Sequence, residues 1–261
     1  MPISKSPRIP AKISACVITL NEADRIALCL ESLAFCDDIV VVDSGSTDGT
    51  RESAAAHGAR VLQRAFDGYR TQKEFAVRTA HHDWVLCLDA DERVTPALRA
   101  AIEVARMQDF PVAGYRFARA TEYFGAFLRH GNAYPDRVLR LFDRRRGGFR
   151  GEREIHEHAS VDGPVQTLSG ELEHRAYRSL SDQLARLERY ARLMAEHQHA
   201  AGRRAHLYNV VLNPFWRFLR GYVLRAGFLD GWRGLVYAYV EANYVRQKFI
   251  KLWLLERGYR L

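Results

Sequence analysis

Residues 85–92 read Val-Leu-Cys-Leu-Asp-Ala-Asp-Glu. A short apolar run that stops abruptly at acids has the pattern of a buried strand reaching solvent. In an extended chain residues i and i+2 share a side, so Asp89 and Asp91 are expected to project together from the strand's carboxyl end. That edge of an open α/β sheet is where ligands bind. Two carboxylates there suit a hard divalent cation, Mg²⁺ or Mn²⁺, which can in turn hold phosphate. Two more strand ends carry acids: Glu22 lies just past the apolar stretch 13–20, and Asp43 ends the stretch 39–43. Acids repeated at one edge of a parallel sheet converge on a crevice able to take ribose hydroxyls, a base and a metal diphosphate. The chain has neither GxxxxGK[ST] nor GxGxxG, so a P-loop and a dinucleotide fingerprint are both excluded.

The elements that must position these acids alternate in type. Strands are expected at 13–20, 39–42, 60–63 and 85–88. Helices are expected from about Asp24, with Ile26, Leu30 and Leu33 at helical spacing, then over 51–58 ending at Gly58, over 71–80, and from Thr95-Pro96. Thr95 has the chemistry of an N-cap and Pro96 that of a first helical residue. The β-α order argues for a mostly parallel sheet with helices on both faces. Beyond about residue 110 the pattern shifts to shorter, alternating strands in GYRFAR, RVLRLFDR and VDGPVQTLSGELEH. A helix over 181–200 follows, with Leu184, Leu187 and Ala191 on one side.

The 261 residues allow one large domain or one domain with an appendage. The first residues contain no apolar signal core, and no run approaches the ~18 apolar residues of a membrane span. Cys16, Cys29, Cys36 and Cys87 form no CxxC pair, which argues against a zinc or redox motif and suits a reducing cytoplasm. The net charge of +8 is uneven: eleven basic and three acidic residues lie between Arg203 and Leu261, and these account for the whole excess. Whatever partner the basic charge implies belongs to that tail.

Several of these segments resemble a family. ITLNE (18–22), IVVVDSGSTDGT (39–50), Gln72-Lys73 and DWVLCLDADE (83–92) resemble the family 2 glycosyltransferases of GT-A fold, in order and spacing. HGNAYPDRVLRLFDRR (130–145), IHEH (155–158) and VDG (161–163) narrow the resemblance to the lipopolysaccharide core branch, including inner-core glucosyltransferases. Glu74 departs from the pattern, which has Asn after Gln-Lys. The resemblance implies a metal-dependent, inverting transfer of a sugar, a UDP-hexose being expected, from a nucleotide sugar to a lipid-linked acceptor. It implies that Glu22 and Asp43 contact the nucleoside, that Thr19, Asn21 and Ser44 also bind the nucleotide sugar, that Asp89 binds ribose or sugar, and that Asp91, with Asp89, ligates the metal. Lys73 then neutralises the diphosphate as it leaves.

Inverting transfer needs a carboxylate to take the acceptor's proton. Asp136 and Glu157 are the two candidates, and His156 is expected near the diphosphate or acceptor. The tail mixes Phe, Trp, Tyr and Leu with Arg, so it reads as an interfacial segment at an anionic lipid surface, or as helices packed on the catalytic domain. Nucleic acid is not the expected partner, because the bulky apolar content exceeds what phosphate contacts need. The expected organisation is a tail over 1–12, a GT-A domain over 13–202 (nucleotide half about 13–110, acceptor half about 111–202), and an amphipathic extension over 203–261. The expected location is peripheral, on the inner face of the cytoplasmic membrane. Two other readings remain: a sugar nucleotidylyltransferase, and a non-catalytic membrane-bound scaffold.

Overall fold

A computed structural model describes residues 10–150 and 158–261. The first half alternates as expected: β1 (Ile13–Thr19), α1 (Ile26–Ser32), β2 (Asp38–Asp43), α2 (Thr50–Ala56), β3 (Arg60–Gln63), α3 (Tyr69–Thr79), β4 (Trp84–Asp89), β5 (Glu92–Val94) and α4 (Pro96–Met107). There follow β6 (Gly114–Tyr123), β7 (Ala126–Phe127), β8 (Asp136–Asp143), β9 (Gly147–Arg150), β10 (His158–Val161), β11 (Val165–His174), α5 (Leu180–Ala200), α6 (Leu207–Leu219) and α7 (Gly231–Leu255). The main sheet runs β3-β2-β1-β4-β8-β6-β11-β5. Its β3, β2, β1 and β4 are mutually parallel, while β8 lies antiparallel to β4 and β11 antiparallel to β5. This is the expected GT-A-like α/β arrangement.

Contacts divide the chain into two compact units. The first comprises residues 1–119 and 137–174, the second 120–136 and 175–261. The tail after 202 therefore belongs to a unit that also takes in α5 and residues 120–136.

In the first unit one side of the sheet packs Val17, Leu86 and Leu88 with Ile26, Leu30 and Leu33, the apolar stripe read from the sequence. The other side packs Cys16, Val40 and Cys87 with Ala76 and Val77 of α3. Strands buried on both faces explain the near-continuous apolar runs. None of the four cysteines is disulfide-bonded. Thr95 caps α4, its hydroxyl accepting from the Leu98 amide at 3.3 Å.

In the second unit α5 and α7 pack together. The buried positions of α5 are Gln183, Ala191 and Ala195. Leu184, expected on that side, is 38% exposed. Gln183, Ala191 and Ala195 lie on one line at i, i+8 and i+12, the two alanines admit the close neighbour helix, and Leu184 is one position off that line. Tyr123, Leu128 and Ala133 pack with Tyr177, Val236 and Tyr237, and Ala195 and Ala205 pack with Leu252 and Trp253. The tail thus supplies the core of this unit.

Gly170, in the middle of β11, has φ +87°, and a Cβ there would run into the Leu98 backbone at the start of α4. Gly58 has φ +78° but open space around it. Gly170→Ala is expected to destabilise by about 2–4 kcal/mol, combining backbone strain with overpacking, and Gly58→Ala by about 1 kcal/mol, from strain alone. Urea unfolding of both variants measures this. Equal losses would contradict the close packing of α4 on β11.

Candidate active site

Parallel register brings the acidic strand ends level. Thr19 lies opposite Asp43, and Ile18 opposite Asp89. The loops that follow β1 and β2 are laced together at this edge. The Asn21 amide donates to Ser46 Oγ (2.8 Å), the Glu22 amide to Thr50 Oγ1 (2.9 Å), and the Thr47 amide to Asn21 Oδ1 (2.9 Å). Asn21 itself sits in the left-handed region at φ 54°, a conformation its short amide tolerates. Asp43 is fully buried, and its carboxylate accepts from the Gly45 amide (3.0 Å), the Ser46 amide (2.9 Å) and the Ser46 hydroxyl. In this structure Asp43 therefore ties down the SGSTDG turn. Ser44 is held by Gln72, whose Nε2 donates to its Oγ at 2.9 Å, and Thr19 Oγ1 is buried without a hydrogen-bond partner among the described residues.

The acidic pair departs from the i, i+2 expectation. β4 ends at Asp89, and the chain turns through Ala90 and Asp91 before β5 begins at Glu92. Strand alternation stops where the strand stops, so the two aspartates face different partners. Asp89 is spanned by Lys73 Nζ at 3.0 Å and Arg140 Nη2 at 2.9 Å. Burial alone would raise its pKa, but Lys73 and Arg140 outweigh that and hold it well below the usual carboxylate range. Asp91 Oδ2 lies 3.9 Å from Arg25 Nη1 and 3.6 Å from His174 Nε2. Asp91 Oδ1 and His174 Nδ1 are buried with no hydrogen-bond partner among the described residues.

Glu92, part of the acidic run but given no role by the sequence, is the best-enclosed acid of this cluster at 1% exposure. It accepts the Asp89 amide (3.1 Å) and pairs with Arg140 (2.7 Å) and Arg119 (3.0 Å). Arg140, Arg119, Arg25 and His174 also went unread as site residues. Their only sequence signal was position: Arg140 comes within the strand RVLR, and His174 closes β11. Antiparallel pairing places Arg140 and His174, with Leu86 opposite Leu141 and Glu92 opposite His174. Arg25 further approaches Glu22 at 3.7 Å.

Four carboxylates (Glu22, Asp89, Asp91, Glu92) thus stand among four permanent cations (Arg25, Lys73, Arg119, Arg140). A diphosphate entering this balanced cluster needs positive charge of its own, which is what a divalent cation supplies. The orphaned Asp91 oxygen beside a histidine fits such an ion. Among the described residues no group of three His, Cys, Asp or Glu forms a closed cage; Mg²⁺ and Mn²⁺ sites that draw on substrate phosphate and water do not need one.

Asp136 opens β8, belongs to the second unit and is half-buried. His156 and Glu157 lie outside the described residues.

Asp89→Asn leaves Lys73 and Arg140 facing a neutral amide, and at pH 7 it is expected to cost about 2–3 kcal/mol. A carboxylate with a depressed folded pKa contributes stability above its unfolded value of about 3.9 and loses it as pH falls toward the folded value. The wild type is therefore expected to lose stability from about pH 5 downward, and the variant to lose less over the same window. Urea midpoints at pH 7, 4 and 3 report this; parallel declines would mean that Asp89 is not so paired.

Comparison with known proteins bears on the family. The model of glycosyl transferase family 2 matches residues 14–164. The lipopolysaccharide core biosynthesis glycosyltransferase LpsC of Rhizobium meliloti is 31% identical over 255 residues, covering 93% of this chain and 94% of that protein. The uncharacterized glycosyltransferase RP128 of Rickettsia prowazekii is 29% identical over 237 residues, covering 86% of this chain and 81% of that protein. The structure of mannosyltransferase PcManGT from Pyrobaculum calidifontis, solved with GDP-Man and Mn²⁺, aligns with TM-score 0.53 over 96% of this chain and 89% of that one, at 16% identity. That likeness speaks to fold. The nucleotidylyltransferase alternative is set aside, because the chain belongs to glycosyl transferase family 2 and is a glycosyltransferase.

Proposed function

We propose that this glycosyltransferase moves a hexose, with inversion, from a nucleoside diphosphate sugar (UDP-linked as first candidate) to a lipid-linked glycan of the lipopolysaccharide core. The single observation that carries the reading is the acidic edge: a balanced ion cluster with one carboxylate oxygen of Asp91 left unengaged next to His174. The core-glycan assignment draws its support from the name of the Rhizobium relative, which is matched over nearly its whole length. The first unit is the donor-binding part, and the second takes the acceptor and meets the cytoplasmic face of the membrane. No helix among the described residues is long and apolar enough to cross one.

In this reading Thr19, Asn21, Glu22, Asp43 and Ser44 shape the nucleoside subsite, Asp43 by holding the turn. Asp91, with His174 beside it and Asp89 next in line, would hold Mg²⁺ or Mn²⁺. When bound, that cation offsets the charge of the departing diphosphate. Lys73 offers its ammonium to the same phosphate oxygens, held in place by Asp89. The acceptor hydroxyl oxygen attacks the anomeric carbon and the bond to the diphosphate oxygen breaks, its electron pair leaving with the nucleotide. The hydroxyl proton passes to a carboxylate, Asp136 or Glu157, with His156 near the diphosphate or acceptor.

Nucleotide release from a panel of nucleotide sugars, with Mg²⁺ or Mn²⁺, tests the donor class. Asp91→Asn is expected to lose roughly a hundredfold or more in turnover, and its titration with Mn²⁺ to require higher concentrations, while the folded spectrum stays intact. Near-normal turnover in that variant would remove Asp91 from the metal site.

Of Asp136→Asn and Glu157→Gln, one is expected to lose on the order of a hundredfold in turnover with donor binding unchanged, the other to show a smaller or binding-type loss. Wild-type turnover in both would dismiss both carboxylates as the base.

A further inference from the structure

In the second unit, α6 is amphipathic with its apolar face turned outward. Leu207, Tyr208, Val211, Leu212, Phe215 and Trp216 recur at i, i+1, i+4, i+5, i+8 and i+9, one continuous face at helical period. All six are between 54% and 67% exposed. The one buried residue of α6 is Pro214. No charged residue occurs from Leu207 to Trp216. The segment joining α6 to α7 and the first turn of α7 continue the theme, with Leu224, Phe228 and Leu229 of the segment and Trp232 of α7 each about half exposed or more. Exposed apolar surface on this scale marks an interaction site.

The joining segment is held firmly. Asp230 accepts from the Arg129 amide (3.2 Å) and the His130 amide (3.0 Å) and pairs with His130 Nδ1 (2.9 Å). A Cβ at Gly234 would overlap the Gly227 carbonyl, so α7 starts in direct backbone contact with this segment. The apolar side chains therefore sit on a rigid platform.

Charge identifies the occupant. Arg203 and Arg204 precede the apolar face of α6, and Arg220 and Arg225 follow it, all four exposed. Other basic residues of the tail are engaged within the unit: Arg217 pairs with buried Glu241, Lys251 with Glu188, and Arg233 donates to the Phe124 carbonyl. Trp253 is also withdrawn, packed beside Leu252 and under the Arg257 guanidinium at 3.8 Å. What remains outward is an uncharged apolar helix face bracketed by arginines. At 13 residues the helix is about 20 Å long, too short to span a bilayer. Apolar residues between basic ends match acyl chains bordered by anionic headgroups. A second copy would bring the same positive charges to meet these, which disfavours pairing.

We infer that α6, the segment joining it to α7 and the first turn of α7 form an interfacial insertion surface, with Phe215, Trp216, Leu224 and Trp232 among the acyl chains and Arg204, Arg220 and Arg225 at the phosphates. This rests on the membrane-surface reading above and gives it a definite face. The surface works independently of the donor cluster, so nucleotide-sugar hydrolysis in lipid-free buffer is expected to be the same in wild type and surface variants.

The test uses the full chain and vesicles of phosphatidylglycerol mixed with phosphatidylethanolamine, with phosphatidylcholine vesicles as the uncharged control. Wild type is expected to co-sediment with the anionic vesicles, and bromine-labelled acyl chains to quench its tryptophan emission. Leu212→Glu/Phe215→Glu is expected to weaken binding roughly tenfold or more, by placing charge in the apolar layer. Arg220→Gln/Arg225→Gln is expected to reduce only the salt-sensitive part of binding. Both variants change exposed side chains, and unchanged thermal melts would establish that they fold. Wild-type binding in the Glu variant, or no bromolipid quenching, would overturn the assignment. So would a wild type that ignores vesicles but sediments as a dimer dissociated by the Glu variant, since the face would then belong to a second copy. Vesicle binding without activity on any nucleotide sugar would count against the proposed donor chemistry and leave the insertion surface standing.

Discussion

The pairing of Asp89 and Glu92 with Lys73, Arg140 and Arg119 is the interaction on which the first unit turns. Asp89 ends a strand whose preceding residues, Val85 to Leu88, are all nearly fully buried, and Glu92 opens the next strand at 1% exposure. Carboxylates so placed are costly unless each is met by a cation in good geometry. The cations come from distant stretches: α3 brings Lys73, β8 brings Arg140, and β6 brings Arg119. The cluster forms only when those elements have docked in register. It therefore couples the docking of α3, β6 and β8 to the geometry of the acidic sheet edge.

In the proposed donor chemistry, that balance would favour a diphosphate that arrives with a cation. With carboxylates and guanidinium groups already matched, a bare diphosphate finds no surplus of positive charge. Asp91 stands apart from the tight pairs, its contacts to Arg25 and His174 being 3.9 and 3.6 Å and one oxygen having no partner among the described residues. In the proposed mechanism the looser carboxylate would exchange partners, while Asp89 and Glu92 would stay engaged and keep the frame.

The second unit solves a different problem. Its interior is built from small residues and aromatic rings, Ala191, Ala195 and Ala238 with Tyr123, Tyr177 and Tyr237, and its buried charge is confined to pairs such as Arg217 with Glu241. The larger apolar side chains of α6 are left outside. A helix that buries only a proline and exposes Phe and Trp gains nothing from water, and in the proposed membrane reading the arginines at its ends would select an anionic layer to cover it.

The β-α alternation, the limits of β3, the capping of α4 by Thr95 and the burial of Ile26, Leu30 and Leu33 were legible in the sequence. Each depends on residues within a few positions of one another, where periodicity and capping chemistry act directly. The acid edge was legible for the same reason, since apolar runs end at Asp43 and Asp89 by composition alone. The partners of those acids were not. Arg140 meets Asp89 across 51 residues of chain and Arg119 meets Glu92 across 27, and nothing local distinguishes them from any other arginine. Asp91 lies in a turn because β5 leaves to pair with β11, which strand alternation cannot anticipate. Leu184 lies outside and Trp253 is tucked in because helix packing is chosen by the neighbouring helix. The sequence by itself determined the elements and the chemistry at their ends. Which side chains face each other was decided only by the tertiary structure, because pairing energies between charges and between helix faces depend on distances that exist only once the chain has closed on itself.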